Sequence, residues 1–258
     1  MSKLVCLALL VSAASALPSN ATFGAAPAAF GVDSTYPLTD SIASCLKRSG
    51  YFAGFFRVGN KATVDSTGVD NAYKANRAGL KFELFITPNP QGYADRQLYD
   101  AYDYAKKNNI NLARIWLQIT SPISWDRSQS NNVRFINDFV RAGRNRNVKV
   151  SFYTNWYDYE EITGNSRAIA NAEIWYWHVL GAGSNGETAR DYNDYRTFGP
   201  FTGWPIAKQY GVAETPCNYR ANQNVFAGSG VTVAGAEDII PIGMGASIVQ
   251  IQDNKTKQ

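Results

Sequence analysis

Between residues 30 and 180 the chain repeats one motif: a short apolar run, a break with glycine or proline, then apolar positions at helical spacing. Phe30 to Asp33 reads as a short strand ending on an acid. Thr39 caps a helical pattern through Ile42, Cys45 and Leu46 that stops at Gly50. Tyr51 to Val58 is an apolar strand containing Arg57, and Val69 to Ala78 is helical up to Gly79. Leu80 to Thr87 is a strand with Glu83 inside it, closed by Pro88 and Pro90. Ala94 to Asn108 is an amphipathic helix, with Leu98, Tyr102 and Ala105 on one face and Lys106 and Lys107 in the last turn. Ala113 to Thr120 is the next strand, Asn132 to Arg144 a helix, and Val148 to Thr154 and Ile174 to Leu180 further strands. The remainder is less regular: Trp204 to Tyr210, Gln223 to Phe226, and a glycine-rich stretch to Met244.

Alternating strands and helices imply βαβ units and a parallel sheet. An irregular (β/α) barrel of TIM type, in one domain, fits better than an open sheet. No glycine-rich nucleotide fingerprint follows the first strand, so no cofactor is expected. In a barrel, Gln118 and Thr120 lie two residues apart at a strand's C-terminal end, on one face and at the mouth, where barrel enzymes keep their chemistry. Neither side chain can ionise.

Composition changes this picture little. The 258 residues are 45% hydrophobic and 18% charged, which suits one folded barrel domain. A formal charge of +4, without a dense basic patch, argues against nucleic acid as a partner. The 6 Trp, 15 Tyr and 13 Phe suit either a sugar-binding cleft or a large aromatic core.

The N-terminus changes it more. Lys3, the apolar run Leu4 to Val11 and Ala14-Ser15-Ala16 have the layout of a secretory signal, so cleavage after Ala16 and an extracellular destination are expected. The run is too short to span a bilayer, and no membrane association is expected. Residues 17–29 then form a lead-in, 30–226 the barrel domain and 227–258 a C-terminal extension. Loss of Cys6 with the signal leaves Cys45 and Cys217, which permit either one disulfide or two free buried thiols. Asn20 and Asn254 head N-glycosylation sequons.

Candidate chemistry narrows to carboxylates. A single histidine, His178 beside Trp177, gives no histidine-rich metal site and reads as structural. No metal is expected. Glycoside hydrolysis needs two acids, and Asp33 at the end of the first strand and Asp158 beyond the fifth are the candidates. Asp158 reads equally well as a cap for the helix carrying Glu160 and Glu161, and Glu83 as a buried partner for Arg57.

Several runs together are distinctive: Phe30-Gly31-Val32-Asp33, Ile86-Thr87-Pro88-Asn89-Pro90, Ile115-Trp116-Leu117-Gln118-Ile119-Thr120-Ser121-Pro122, Phe152-Tyr153-Thr154-Asn155-Trp156-Tyr157-Asp158 and Lys208-Gln209-Tyr210-Gly211. On these the chain resembles the glycoside hydrolase family 25 lysozymes, in their secreted nematode branch, from about residue 30 to about residue 226. The resemblance implies an irregular β/α barrel and, for the family at large, muramidase activity: cleavage of the muramic acid to glucosamine linkage in bacterial cell walls. It also implies a role in intestinal and innate antibacterial defence, in the gut lumen or lysosome-like vesicles. Of the family's acids, Asp33 is present. The D-x-E pair, whose Glu is the proton donor, falls on Gln118 and Thr120, and a late acid falls on Asn222.

Two outcomes stay open. One is hydrolysis through a rearranged pair, Asp33 with Asp158. The other is a non-catalytic descendant that binds glycan, or serves in signalling, with Trp116, Tyr153, Asn155, Trp175 and Trp177 as contact candidates. A monomer is expected in both.

Overall fold

The computed structural model describes residues 28–169, 172–227 and 239–249. The signal segment, Asn20, Asn254 and the lead-in up to residue 27 lie outside the described residues. Eight strands form a closed barrel: β1 (Ala28–Ser34), β2 (Tyr51–Asn60), β3 (Lys81–Thr87), β4 (Arg114–Gln118), β5 (Lys149–Thr154), β6 (Ile174–Trp177), β7 (Ala207–Glu214) and β8 (Ala221–Ala227). Neighbours from β1 to β7 run parallel, whereas β8 runs antiparallel to both β7 and β1 and closes the ring. The reason is the link between β7 and β8. It holds only a 3-10 turn, Pro216–Asn218, and a parallel crossover needs a dozen or more residues.

Helices cover the first five connections: α1 (Asp40–Arg48), α2 (Ser66–Arg77), α3 (Ala94–Lys107), α4 (Gln129–Arg144) and α5 (Trp156–Thr163). Thr39 caps α1 as its sequence predicts, accepting from Ile42 N at 3.2 Å. Asp65 caps α2, so that helix begins a turn earlier than its apolar pattern predicts. Between the helices and the barrel lies one apolar layer, built on residues such as Leu46, Val58, Leu84, Leu98, Ile136 and Phe139. A second fills the barrel itself, with Phe55, Phe85, Trp116, Trp175 and Phe226.

The floor of the barrel is charged. Arg114, fully buried at the start of β4, donates through Nη2 to Glu83 Oε1 at 2.8 Å and through Nη1 to Glu173 Oε2 at 3.2 Å. Lys149 Nζ completes the balance at 2.6 Å from Glu173 Oε1. The predicted Glu83–Arg57 pair does not form. Glu83 sits near the N-terminal end of β3, level with Arg114, while Arg57 lies further toward the mouth and bonds Asp65 at 2.9 Å.

Residues 239–249, expected to belong to an extension outside the domain, seal this floor. Gly243 N and Gly245 N donate to Glu83 Oε1 at 2.7 and 3.2 Å, and Ile240 N donates to Glu173 Oε1 at 3.1 Å. Arg114 Nη1 also donates to Ile240 O. Ala246–Ile248 pairs antiparallel with Ile110–Leu112. Gly245 is required there, because a Cβ would stand 2.2 Å from Glu83 Oε2.

Replacing Glu83 with Ala leaves Arg114 buried without one of its two carboxylate partners, an expected loss of about 3–5 kcal/mol. Amides of 240–245 should then lose protection from hydrogen exchange before the rest of the barrel does. A loss under about 1 kcal/mol by urea titration would show that the network is solvated rather than sealed.

Candidate functional site

The C-terminal ends of the strands gather a polar cluster around Asp33, which is buried at the end of β1. Antiparallel closure places Asn222 of β8 directly opposite Asp33 in register. Three side-chain amides donate to the carboxylate: Gln209 Nε2 at 2.7 Å and Asn224 Nδ2 at 2.8 Å to Oδ1, and Asn222 Nδ2 at 2.8 Å to Oδ2. Two aromatic donors fix two of those amides in turn. Tyr153 OH donates to Gln209 Oε1 at 3.0 Å, and Trp175 Nε1 to Asn224 Oδ1 at 2.7 Å. Burial pushes the Asp33 carboxyl above its ordinary range, although all three amide bonds pull it down.

Gln118 and Thr120 meet side by side at the mouth, as the two-residue period predicts. Gln118 Nε2 donates to Thr120 Oγ1 at 2.9 Å, and Thr87 Oγ1 donates to Gln118 Oε1 at 2.6 Å. The positions that resemble the D-x-E pair thus form a neutral chain of amide and hydroxyls, anchored to β3. Beyond it, Ser121 adopts φ 58° and turns the backbone into the 3-10 turn Pro122–Ser124.

Asp158 occupies the first turn of α5 and is 4% exposed. It does not cap the helix. Asn155 does, accepting from Asp158 N at 2.8 Å, so the Asn155 oxygen expected to meet glycan is committed to the backbone. The Asp158 carboxylate accepts from Trp177 Nε1 at 3.1 Å and from the Ser121 backbone. Burial outweighs both bonds and raises the carboxyl to about 6. Tyr153 lies within electrostatic reach of both acids. Its hydroxyl is pushed well above 10 by burial and then by the Asp33 charge, with a smaller push from Asp158. It therefore stays protonated and donates to Gln209 Oε1.

The aromatic candidates divide. Trp116 and Trp175 have no exposed surface: they fill the barrel, 5.9 Å apart edge to face, with Phe55 4.5 Å from Trp175. Neither can stack on a ligand. Tyr153 and Trp177 are half-buried at the mouth. The most exposed rings, ahead of Trp204, are others: Tyr36, Tyr93, Trp156 and Tyr157, with Ile123 comparably exposed. All follow the C-terminal end of a strand, and that position was the available signal. The His178 backbone N donates to Gln209 O at 3.0 Å, but its ring bonds outside this cluster. Its Nδ1 is 2.5 Å from Asp194 Oδ2, which also takes Lys208 Nζ at 2.7 Å. Burial raises Asp194, but the bonds from Lys208 and His178 outweigh it and hold the carboxyl low. Among the described residues, no group of three or more His, Cys, Asp or Glu could hold a metal ion. No described helix is long and apolar enough to cross a membrane.

The raised Asp158 carboxyl has a measurable sign. An unfolded aspartate titrates near about 3.9, so between about 4 and 6 the folded chain binds more protons than the unfolded one. Stability contributed by this group is therefore fully present below about 4 and is lost as pH rises through about 6. Asp158→Asn should be more stable than the parent at pH 7, and this advantage should vanish by about pH 4. An offset that is equal at both pH values in urea titrations would assign Asp158 an ordinary carboxyl.

Known proteins place the chain. A family model described as Lysozyme-like protein 1 matches residues 24–210. Lysozyme-like protein 2 of Caenorhabditis elegans is 38% identical over 227 residues, covering 84% of this chain and 80% of the relative. A probable GH family 25 lysozyme 2 of Dictyostelium discoideum is 30% identical over 201 residues, covering 76% and 90%. Among solved structures, the bacterial lysozyme from Streptomyces coelicolor matches with a TM-score of 0.60 at 20% identity, over 78% of this chain and 93% of that one, a likeness of fold.

Proposed function

The chain belongs to the lysozyme-like proteins of the glycoside hydrolase family 25 type, and from that premise we propose that it is a secreted, monomeric protein that binds bacterial peptidoglycan glycan in antibacterial defence. The observation behind binding rather than efficient cleavage is the neutral chain Thr87–Gln118–Thr120. By family resemblance the proton donor belongs at residue 120. A hydroxyl there cannot protonate a leaving oxygen at neutral pH, and general acid catalysis supplies about 10²–10⁴-fold. The same groups suit recognition. Gln118 keeps a second amide N–H and Thr120 its hydroxyl hydrogen, both able to meet sugar hydroxyls. The Lys3 to Ala16 signal layout supports the extracellular placement.

A second reading rests on Asp158. A buried carboxyl raised to about 6 is poised as a general acid, and Asp33 would be its partner in slow hydrolysis.

One assay separates the two. The purified chain is sedimented with insoluble peptidoglycan while released reducing ends are counted. Binding with no release above background supports recognition alone. Release that Asp158→Asn abolishes supports the second reading. A chain that stays in the supernatant loses both. Asp33→Asn should weaken sedimentation about tenfold or more, because its new amide would face the donors of Asn222, Asn224 or Gln209 and disorder the cluster.

A further inference from the structure

Three bulky side chains stand in solvent at one corner of the barrel mouth: Ile123 at 97% exposure, Trp156 at 54% and Tyr157 at 52%. Ile123 lies in the turn Pro122–Ser124 after β4, and Trp156 and Tyr157 open α5 directly after β5. The turn packs against α5, and the two rings meet edge to face at 5.9 Å and 82°. Both supports are held in place. Trp125 Nε1 donates to Thr120 O at 3.0 Å beneath the turn, and Asn155 caps α5. A preformed apolar surface of this kind, rimmed by polar groups, marks a contact rather than a core.

Charge decides what it contacts. The sequence of α5, Trp156–Thr163, includes Asp158, Glu160 and Glu161 and no basic residue, and both glutamates are exposed. Anionic lipid and nucleic acid are repelled by such a rim. A sugar ring fits it, since it offers an apolar C–H face to an aromatic ring and hydroxyls to neighbouring carboxylates. The corner is also continuous with the cleft: Asp158 follows Tyr157 in the helix and accepts from the Ser121 backbone next to the turn.

We propose that Ile123, Trp156 and Tyr157 form a platform gripping the sugar faces of a glycan strand that runs out of the barrel mouth, so that the protein selects polymeric over short glycan. This rests on the reading that the cleft binds cell-wall glycan. The test compares the purified chain with Trp156→Ala, Tyr157→Ala and Ile123→Ser, measuring affinity for insoluble peptidoglycan and for a soluble tetrasaccharide of N-acetylglucosamine. Each variant should weaken polymer binding about tenfold and leave tetrasaccharide binding within about twofold. Trp156→Phe should restore most of the polymer affinity, and thermal melts of all variants should match the parent because the side chains are exposed. Unchanged polymer binding, or equal losses on both ligands, overturns the platform while the cleft reading stands. A parent chain that binds neither ligand overturns both. Binding to zwitterionic lipid vesicles that disappears in the same variants would reassign the corner to a lipid surface.

Discussion

Installing Asp at 118 and Glu at 120 together should give the chain peptidoglycan hydrolysis about 10²–10⁴-fold above its own background, read as reducing ends released per hour. The backbone is ready for the exchange. Gln118 and Thr120 already point to one another, with side chains 2.9 Å apart, and Trp125 pins the Thr120 carbonyl at 3.0 Å. Thr87 Oγ1, which donates to Gln118 Oε1 at 2.6 Å, would donate equally well to an aspartate and help hold it ionised. Two acids this close cannot both lose their protons easily, so the glutamate would retain its own toward neutral pH, as a general acid must. Activity should show an acid optimum and should fall to background when Asp33→Asn is added. A double variant that folds and still sediments with peptidoglycan, yet releases nothing, would mean that the cleft binds its ligand in a register unsuited to cleavage. Thr120→Glu alone should recover part of the gain, because the proton donor is the larger deficit and Gln118 can still hydrogen-bond it.

The second large effect concerns stability. Cys45 of α1 and Cys217 of the Pro216–Asn218 turn are bonded, with Cα atoms 6.0 Å apart and a sequence separation of 172. The bond joins the first helix to the link between β7 and β8, beside the seam where β8 closes on β1. Loop-closure entropy for a chain segment of that length is about 5 kcal/mol. A Cys45→Ala, Cys217→Ala double variant should therefore melt roughly 10–20 °C lower. Its urea transition should also be steeper, since an uncrosslinked unfolded chain exposes more surface. A midpoint that moves by less than about 1 kcal/mol equivalent would show that the unfolded chain is already compact in this region. The sequence left this pair open between a disulfide and two thiols because spacing along the chain says nothing of Cα proximity.

The alternation of apolar runs and helical faces was sufficient for the barrel, because each βα unit must bury one strand and one helix face locally. The same local logic gave the Thr39 cap, the mouth-facing pair Gln118 and Thr120, and Asp33 at a strand end. It failed wherever the deciding neighbour came from far along the chain. Trp116 and Trp175 read as cleft residues because aromatic identity is the same inside a barrel and on its rim; only closure by β8 put them inside. Asn155 took the cap for which Asp158 read equally well, since either can cap a helix and only packing against Trp177 and Ser121 decided that the Asp158 carboxyl was buried instead. Glu83 found Arg114 instead of Arg57, and residues 239–249 became the barrel floor, through contacts spanning up to 162 positions. Sequence by itself determined the periodicities, the family and the absence of a carboxyl at 118 and 120. Only the tertiary structure decided burial, and with it the raised carboxyls of Asp33 and Asp158, because desolvation depends on every neighbour in space and on almost none in sequence.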